Sequence, residues 1–181
     1  MSCLLCGKTA CFCKREQQAA PTGTVAPTSE FLEAHAASVK CDSEADYLAP
    51  APLLRFCDTP FSEGILETIA TMEYAAPTPI QSLSWPIALS GRDVVAIAVT
   101  GSGKTLAYLL PALWHLASLP VTALTGRAKA LLTAPTRELA VQIHAETERY
   151  RGTLRSCCCY GGAELAPVSY THLTLPTICS V

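Results

Sequence analysis

Eight residues constrain this chain more than any others: Ala98-Val99-Thr100-Gly101-Ser102-Gly103-Lys104-Thr105. An apolar run, Val94-Val95-Ala96-Ile97, leads into them, and a helical pattern, Leu106 to Leu119, follows. This is the strand, glycine-rich loop, helix order of a phosphate-binding P-loop. Gly101 and Gly103 let the backbone turn and bring N–H groups close to an anion. The helix opening near Lys104 aims its free N–H groups and its positive dipole end at the same spot. Lys104 supplies a mobile charge for β/γ-phosphates, and the Thr105 hydroxyl suits Mg²⁺. Gly-Ser-Gly alone would fit an ordinary strand–helix turn; the attached Lys-Thr, with strand and helix in place, selects the phosphate loop.

Composition narrows the class. Half of the 181 residues are hydrophobic, enough for one domain with a sizeable core plus an extension. The net charge of −2 advertises no general affinity for nucleic acid, so any such reading rests on local features. The longest apolar run is too short to span a bilayer, and no signal-like segment opens the chain. The expectation is an intracellular protein with no membrane partner, its ten cysteines reduced.

Residues 1–20 carry Cys3, Cys6, Cys11 and Cys13. Four thiolates are the right number for tetrahedral zinc, although the second pair is unusually tight; the other reading is a reduced, unstructured tail. Residues 21–54 are rich in Ala, Pro, Thr and Ser and read as a linker, with a short helix near Phe31-Leu32. From Arg55 the texture becomes that of a folded domain, expected over 55–167. Ser62 caps a helix carrying Ile65, Leu66 and Ile69 on one face. Thr78-Pro79 starts another, running toward Ser90 with a kink at Pro86. Gln81, three residues after Thr78, completes a capping box, which is a sufficient structural reason for it. Ala128–Ala134 reads as a second strand. Pro135 to Ala140 opens a helix capped by Thr136, and Cys157 to Tyr160 is a third strand candidate before Gly161-Gly162. Alternating strands and helices predict a parallel α/β sheet with flanking helices. The P-loop, Pro135–Arg137 and Gly161-Gly162 all follow strand ends, the rim where such sheets bind ligands.

From Phe56 to Gly162 the chain resembles the first RecA-like domain of DEAD-box ATP-dependent RNA helicases. Phe56 stands 25 residues before Gln81, the family's spacing between an isolated aromatic and its Q motif. Pro77-Thr78-Pro79-Ile80-Gln81 matches that Q motif. Ala98 to Thr105 matches motif I, which accounts for Ala98 where the general P-loop pattern has Gly. Pro135 to Ala140 matches motif Ia, and Gly161-Gly162 the GG element. The resemblance implies ATP and Mg²⁺ as ligands. It places Phe56 and Gln81 at the adenine, Tyr74 and Thr78 with them among the nucleotide-binding residues, and Thr100, Gly101, Ser102, Gly103, Lys104 and Thr105 at the phosphates, with Lys104 and Thr105 catalytic and Thr105 holding Mg²⁺. It places Pro135, Thr136, Arg137, Gly161 and Gly162 on the RNA sugar-phosphate backbone. A carboxamide has donors and an acceptor to match an adenine edge, so the Gln81 role is chemically sound. Backbone gripping predicts sequence-independent, salt-sensitive RNA binding. Six basic residues against three acidic ones between Arg127 and Arg155 give a modest local bias. Arg149, Arg151 and Arg155 fit a solvated helix face equally well.

Departures from the family matter. Glu73-Tyr74 stand where relatives usually have Gly-Phe. The family's Asp-Glu-Ala-Asp and Ser-Ala-Thr sequences do not occur in the 181 residues. Val168 to Thr177 can be encoded by one reading frame of the transposon adapter used for short-read libraries, so residues 168–181 are expected to be a non-native tail and the sheet to be incomplete, with an exposed edge. The parent is expected to be an ATP-dependent RNA helicase. The 181 residues alone are expected to bind ATP without hydrolysing it. Two other readings stay open: a non-catalytic ATP/RNA-binding module, and a zinc-binding interaction protein acting through its N-terminal cysteines.

Overall fold

The computed structural model describes residues 28–41, 47–120, 128–161 and 177–180. Five helices appear among them: α1 (Thr28–Ala34), α2 (Glu63–Thr71), α3 (Pro79–Leu89), α4 (Lys104–Ala117) and α5 (Arg137–Tyr150). The strands are β1 (Ala128–Leu132), β2 (Arg155–Cys158) and β3 (Thr177–Ser180), in the order β1-β3-β2 with both pairings parallel. Each helix anticipated in the folded part lies where its periodicity puts it. The third strand begins two residues earlier than the cysteine run suggests. The middle strand belongs to the segment that the sequence sets apart as a tail.

The core sits where α2, α3, α4 and α5 meet. Leu106, Leu109, Leu110, Leu113 and Leu116 recur three or four residues apart and form one buried stripe on α4. Phe61, Ile65, Ile69, Trp85 and Tyr150 close over it. Trp85 is fully buried, with the Phe61 ring edge-on at 5.1 Å and the Phe56 ring tilted at 6.1 Å. Its indole Nε1 donates to the Leu106 carbonyl at 3.2 Å, which meets the requirement that a buried N–H find a partner. This bond also locks α3 to α4.

Pro86 does more than bend α3. Proline has no N–H, so the carbonyl four residues earlier, that of Ser82, loses its helical donor. The Leu53 N–H fills the place at 3.1 Å. The chain before the domain is thereby pinned to α3, with Pro52 buried and Leu53 packed on the core. Gln81 through Trp85 are all buried, because α3 has α4 on one side and this strap on another.

Two local features depart from the sequence reading. Val94–Ile97, expected as a strand, is irregular and pairs with no strand among the described residues; Val95 and Ile97 are more than 90% exposed. Hydrophobic alternation identifies a strand only when a neighbour satisfies its backbone, and β1 and β2 are both bonded instead to β3. At Glu73, the residue after the α2 C-cap, φ is +56°. The left-handed position favours Gly, so the Glu73 side chain strains this turn.

Leu109→Ala is expected to cost ~3 kcal/mol through lost burial and a cavity, whereas Ile97→Ser should stay within ~0.5 kcal/mol, both read from urea midpoints. Glu73→Gly should raise stability by ~0.5 kcal/mol, relief of strain outweighing the added freedom of the unfolded chain, measured the same way.

Candidate nucleotide and RNA-binding site

The P-loop closes on itself. A turn brings Ser102 N to Val99 O at 3.4 Å, Gly101 takes φ +78°, and Gly103 takes φ +84° as the N-cap of α4. Lys104 is the first residue of that helix, and its Nζ donates to the Ala98 and Val99 carbonyls, each at 2.6 Å. The ammonium is therefore folded back onto the start of the loop. Thr105, half-buried in the first turn, stands beside it.

Gln81 joins this loop to α3. Its Oε1 accepts from Thr78 N at 3.0 Å, closing its half of the capping box, and its Nε2 donates to Gly103 O at 3.1 Å. A carboxamide carries two N–H donors and two oxygen lone pairs, so one of each remains for a ligand. The structural and the recognition readings of Gln81 are thus compatible. Contact is so close that a Cβ at Gly103 would lie 2.5 Å from Gln81 Nε2 and 3.1 Å from Thr78 Oγ1. Gly103 is required for its φ and again for this approach. Thr78 Oγ1 faces the Gln81 backbone N–H as the other half of that capping box. Ser102 Oγ, inside the loop, is buried with no hydrogen-bond partner among the described residues, which is uncommon for a buried polar atom.

The other residues singled out by sequence fall as follows. Phe56, half-buried in a 3-10 turn, packs on Trp85, one helical turn beyond Gln81. Tyr74 is exposed and lies near the C-terminal end of α5. Burial pushes the Tyr150 hydroxyl up to about 12, and the Tyr74 phenol adds to the shift. Thr136 caps α5, its hydroxyl accepting from Leu139 N at 3.3 Å, which sets Pro135 and Arg137 at the mouth of the helix. The Arg137 guanidinium lies 4.2 Å from the centre of the Tyr160 ring, beside Gly161. Arg149 and Arg151 are engaged within α5, with Glu146 at 2.9 Å and Glu148 at 2.7 Å. Partial burial works to raise the Glu148 carboxyl, but bonds from Arg151 and Ser156 hold it below its usual range. This favours the helix-face reading for those two arginines and separates Arg137 from them. Gly162 and Cys3, Cys6, Cys11 and Cys13 lie outside the described residues. Among the described residues no group of His, Cys, Asp or Glu could hold a metal, and no helix is long and apolar enough to cross a membrane.

Trp85 is a residue the sequence reading passed over. It fixes the distance between the Q motif and motif I through its bond to Leu106, and its signal was a Trp one turn after Gln81.

A glycine-rich loop capping a helix beside a parallel sheet, with a carboxamide set against it, defines a RecA-like nucleotide-binding domain. The chain belongs to the DEAD/DEAH box helicase family, which it matches over residues 78–177. It is 51% identical over 120 residues to DEAD-box ATP-dependent RNA helicase 30 of Arabidopsis thaliana, which covers 65% of this chain and 20% of that protein. It is 43% identical over 138 residues to the probable ATP-dependent RNA helicase ddx17 of Dictyostelium discoideum, 75% of this chain and 18% of that one. Among solved structures it resembles the RNA helicase Prp28 of Chaetomium thermophilum bound to ADP, with a TM-score of 0.64 and 32% identity. That match covers 72% of this chain and 33% of the other. A DEAD box protein of Methanococcus jannaschii gives a TM-score of 0.60 and 28% identity, over 72% of this chain and 35% of that one. The chain spans 18–20% of the length of the two curated relatives described. DEAD-box helicases use ATP and Mg²⁺ and bind RNA at the level of the family.

Gln81→Glu keeps the capping oxygen and removes both N–H donors, leaving Gly103 O facing a carboxylate. Stability should fall by ~1–3 kcal/mol in thermal or urea unfolding, and ATP affinity should drop at least ~10-fold in titration calorimetry.

Proposed function

We propose that this chain is the ATP-binding and first RNA-gripping part of an ATP-dependent RNA helicase. The observation that carries the reading is the Gln81 bridge, which places an adenine-compatible carboxamide in contact with the P-loop through Gly103 O. The residues present fit an adenine nucleotide with Mg²⁺. Gln81 retains one donor and one acceptor for the base. The loop glycines have the backbone geometry of an anion cradle. Ser102 offers a buried hydroxyl with no partner among the described residues.

In this reading Phe56 and Gln81 select adenine over guanine. Gly101 to Gly103 present N–H groups to the phosphates, and Lys104 transfers from the Ala98 and Val99 carbonyls to the β/γ-phosphate oxygens. The Thr105 hydroxyl would hold Mg²⁺, which would supply neutralising charge at the phosphate oxygens. Pro135, Thr136, Arg137 and Gly161-Gly162 hold an RNA backbone without reading bases. Hydrolysis and strand separation belong to the whole protein. They need the Asp-Glu-Ala-Asp carboxylates that position water and metal, and a second domain that bends the gripped strand. Dependence on ATP supports an intracellular location. Zinc at Cys3, Cys6, Cys11 and Cys13 forms no part of this proposal.

The test is nucleotide binding by the 181-residue chain. ATP should bind in preference to GTP, and Lys104→Ala should weaken ATP at least ~10-fold, since it removes a charge-assisted contact. Purified protein should release no phosphate above background. Equal affinity of Lys104→Ala and the parent sequence for ATP would refute the assignment, and Lys104-dependent turnover would show that the chain is an enzyme by itself.

A further inference from the structure

The loops that follow β1 and β2 meet where the Arg137 guanidinium lies over the Tyr160 ring, 4.2 Å from its centre. Arg137 is the first residue of α5, with the Thr136 hydroxyl capping the helix behind it. A cation is poorly placed there, because the helix N-terminus carries a positive partial charge. Its side chain is exposed, so neither burial nor the helix itself holds it to one rotamer. Tyr160 lies two residues past the end of β2, immediately before Gly161, and is half-buried where Arg137 is exposed, so its ring has less freedom than the guanidinium. A ring face attracts a guanidinium lying over it and leaves the N–H edges free, since the contact is to the plane. Those edges remain available for bidentate bonding to a phosphate, to which the α5 N-terminus adds its own N–H groups.

We propose that Tyr160 is a positioning residue for RNA binding: its ring holds the Arg137 guanidinium flat, N–H edges outward, at the mouth of α5, so that the two loops grip one phosphodiester segment as a unit. The inference rests on the RNA reading of motif Ia given above. It assigns Tyr160 a part of its own, and the part is played by the ring, with no role for the hydroxyl.

The test uses the full chain and a fluorescent polyuridine strand, read by anisotropy at low and moderate salt. Tyr160→Leu fills similar space without a π face and should weaken binding about fourfold, the scale of an exposed cation–π contact. Tyr160→Phe should bind like the parent. Arg137→Gln should weaken binding further and lower the salt slope by about one. Tyr160→Leu added to Arg137→Gln should change nothing more, because the ring acts only through the guanidinium. Thermal midpoints of all variants, measured in parallel, separate these effects from misfolding. Parental binding by Tyr160→Leu, a loss in Tyr160→Phe equal to that in Tyr160→Leu, or additive losses in the double variant would each overturn the proposal and leave the RNA reading standing. If the parent chain and Arg137→Gln both fail to bind RNA, the RNA reading falls and this proposal falls with it.

Discussion

The contact between α3 and α4 is the constraint from which the rest of the site follows. Two bonds between a side chain and the backbone define it: Trp85 Nε1 to Leu106 O inside the core, and Gln81 Nε2 to Gly103 O at the rim. The first is buried and therefore strongly enforced, because an unpartnered indole N–H in an apolar setting is costly. The second lies one turn away on the same helix and inherits its precision. Together they set the carboxamide of one motif against the N-cap of the other. Gly103 is the hinge point of this arrangement, since its φ and the approach of Gln81 both exclude a side chain.

A proline inside a helix is usually counted only as a cost. Here Pro86 leaves a carbonyl free, and the strap before the domain donates to it through Leu53. The same strap carries Phe56 onto Trp85. The aromatic that the family resemblance links with adenine is thus tied to the Q-motif helix by a hydrogen bond and by ring packing. Distant positions in the sequence act together because one missing N–H created an acceptor for another.

The arginines of the second half divide by their surroundings. Arg149 and Arg151 neutralise carboxylates one turn back on their own helix, which is ordinary surface chemistry of small energetic weight. Arg137 stands at the opposite end of α5, against the dipole, over an aromatic face. Charge counting between Arg127 and Arg155 treats these residues alike. Geometry separates them: of these three, Arg137 alone stands at the positive N-terminal end of α5.

Much of this was legible in the chain alone. The P-loop, the capping signals at Thr78 and Thr136, the leucine stripe of α4 and the alternation of strands and helices are all local patterns, and local patterns determine helices and glycine turns through backbone sterics and hydrogen bonding within a few residues. They sufficed for the fold class and the family. The sequence could not show that Val94–Ile97 would pair with no strand among the described residues, that Thr177–Ser180 would lie between β1 and β2, or that Tyr160 would meet Arg137. A strand exists only through a partner, and an ion–ring contact only through two loops brought together by the sheet. Those outcomes depend on residues far apart in the chain, and tertiary structure alone decides which of them meet.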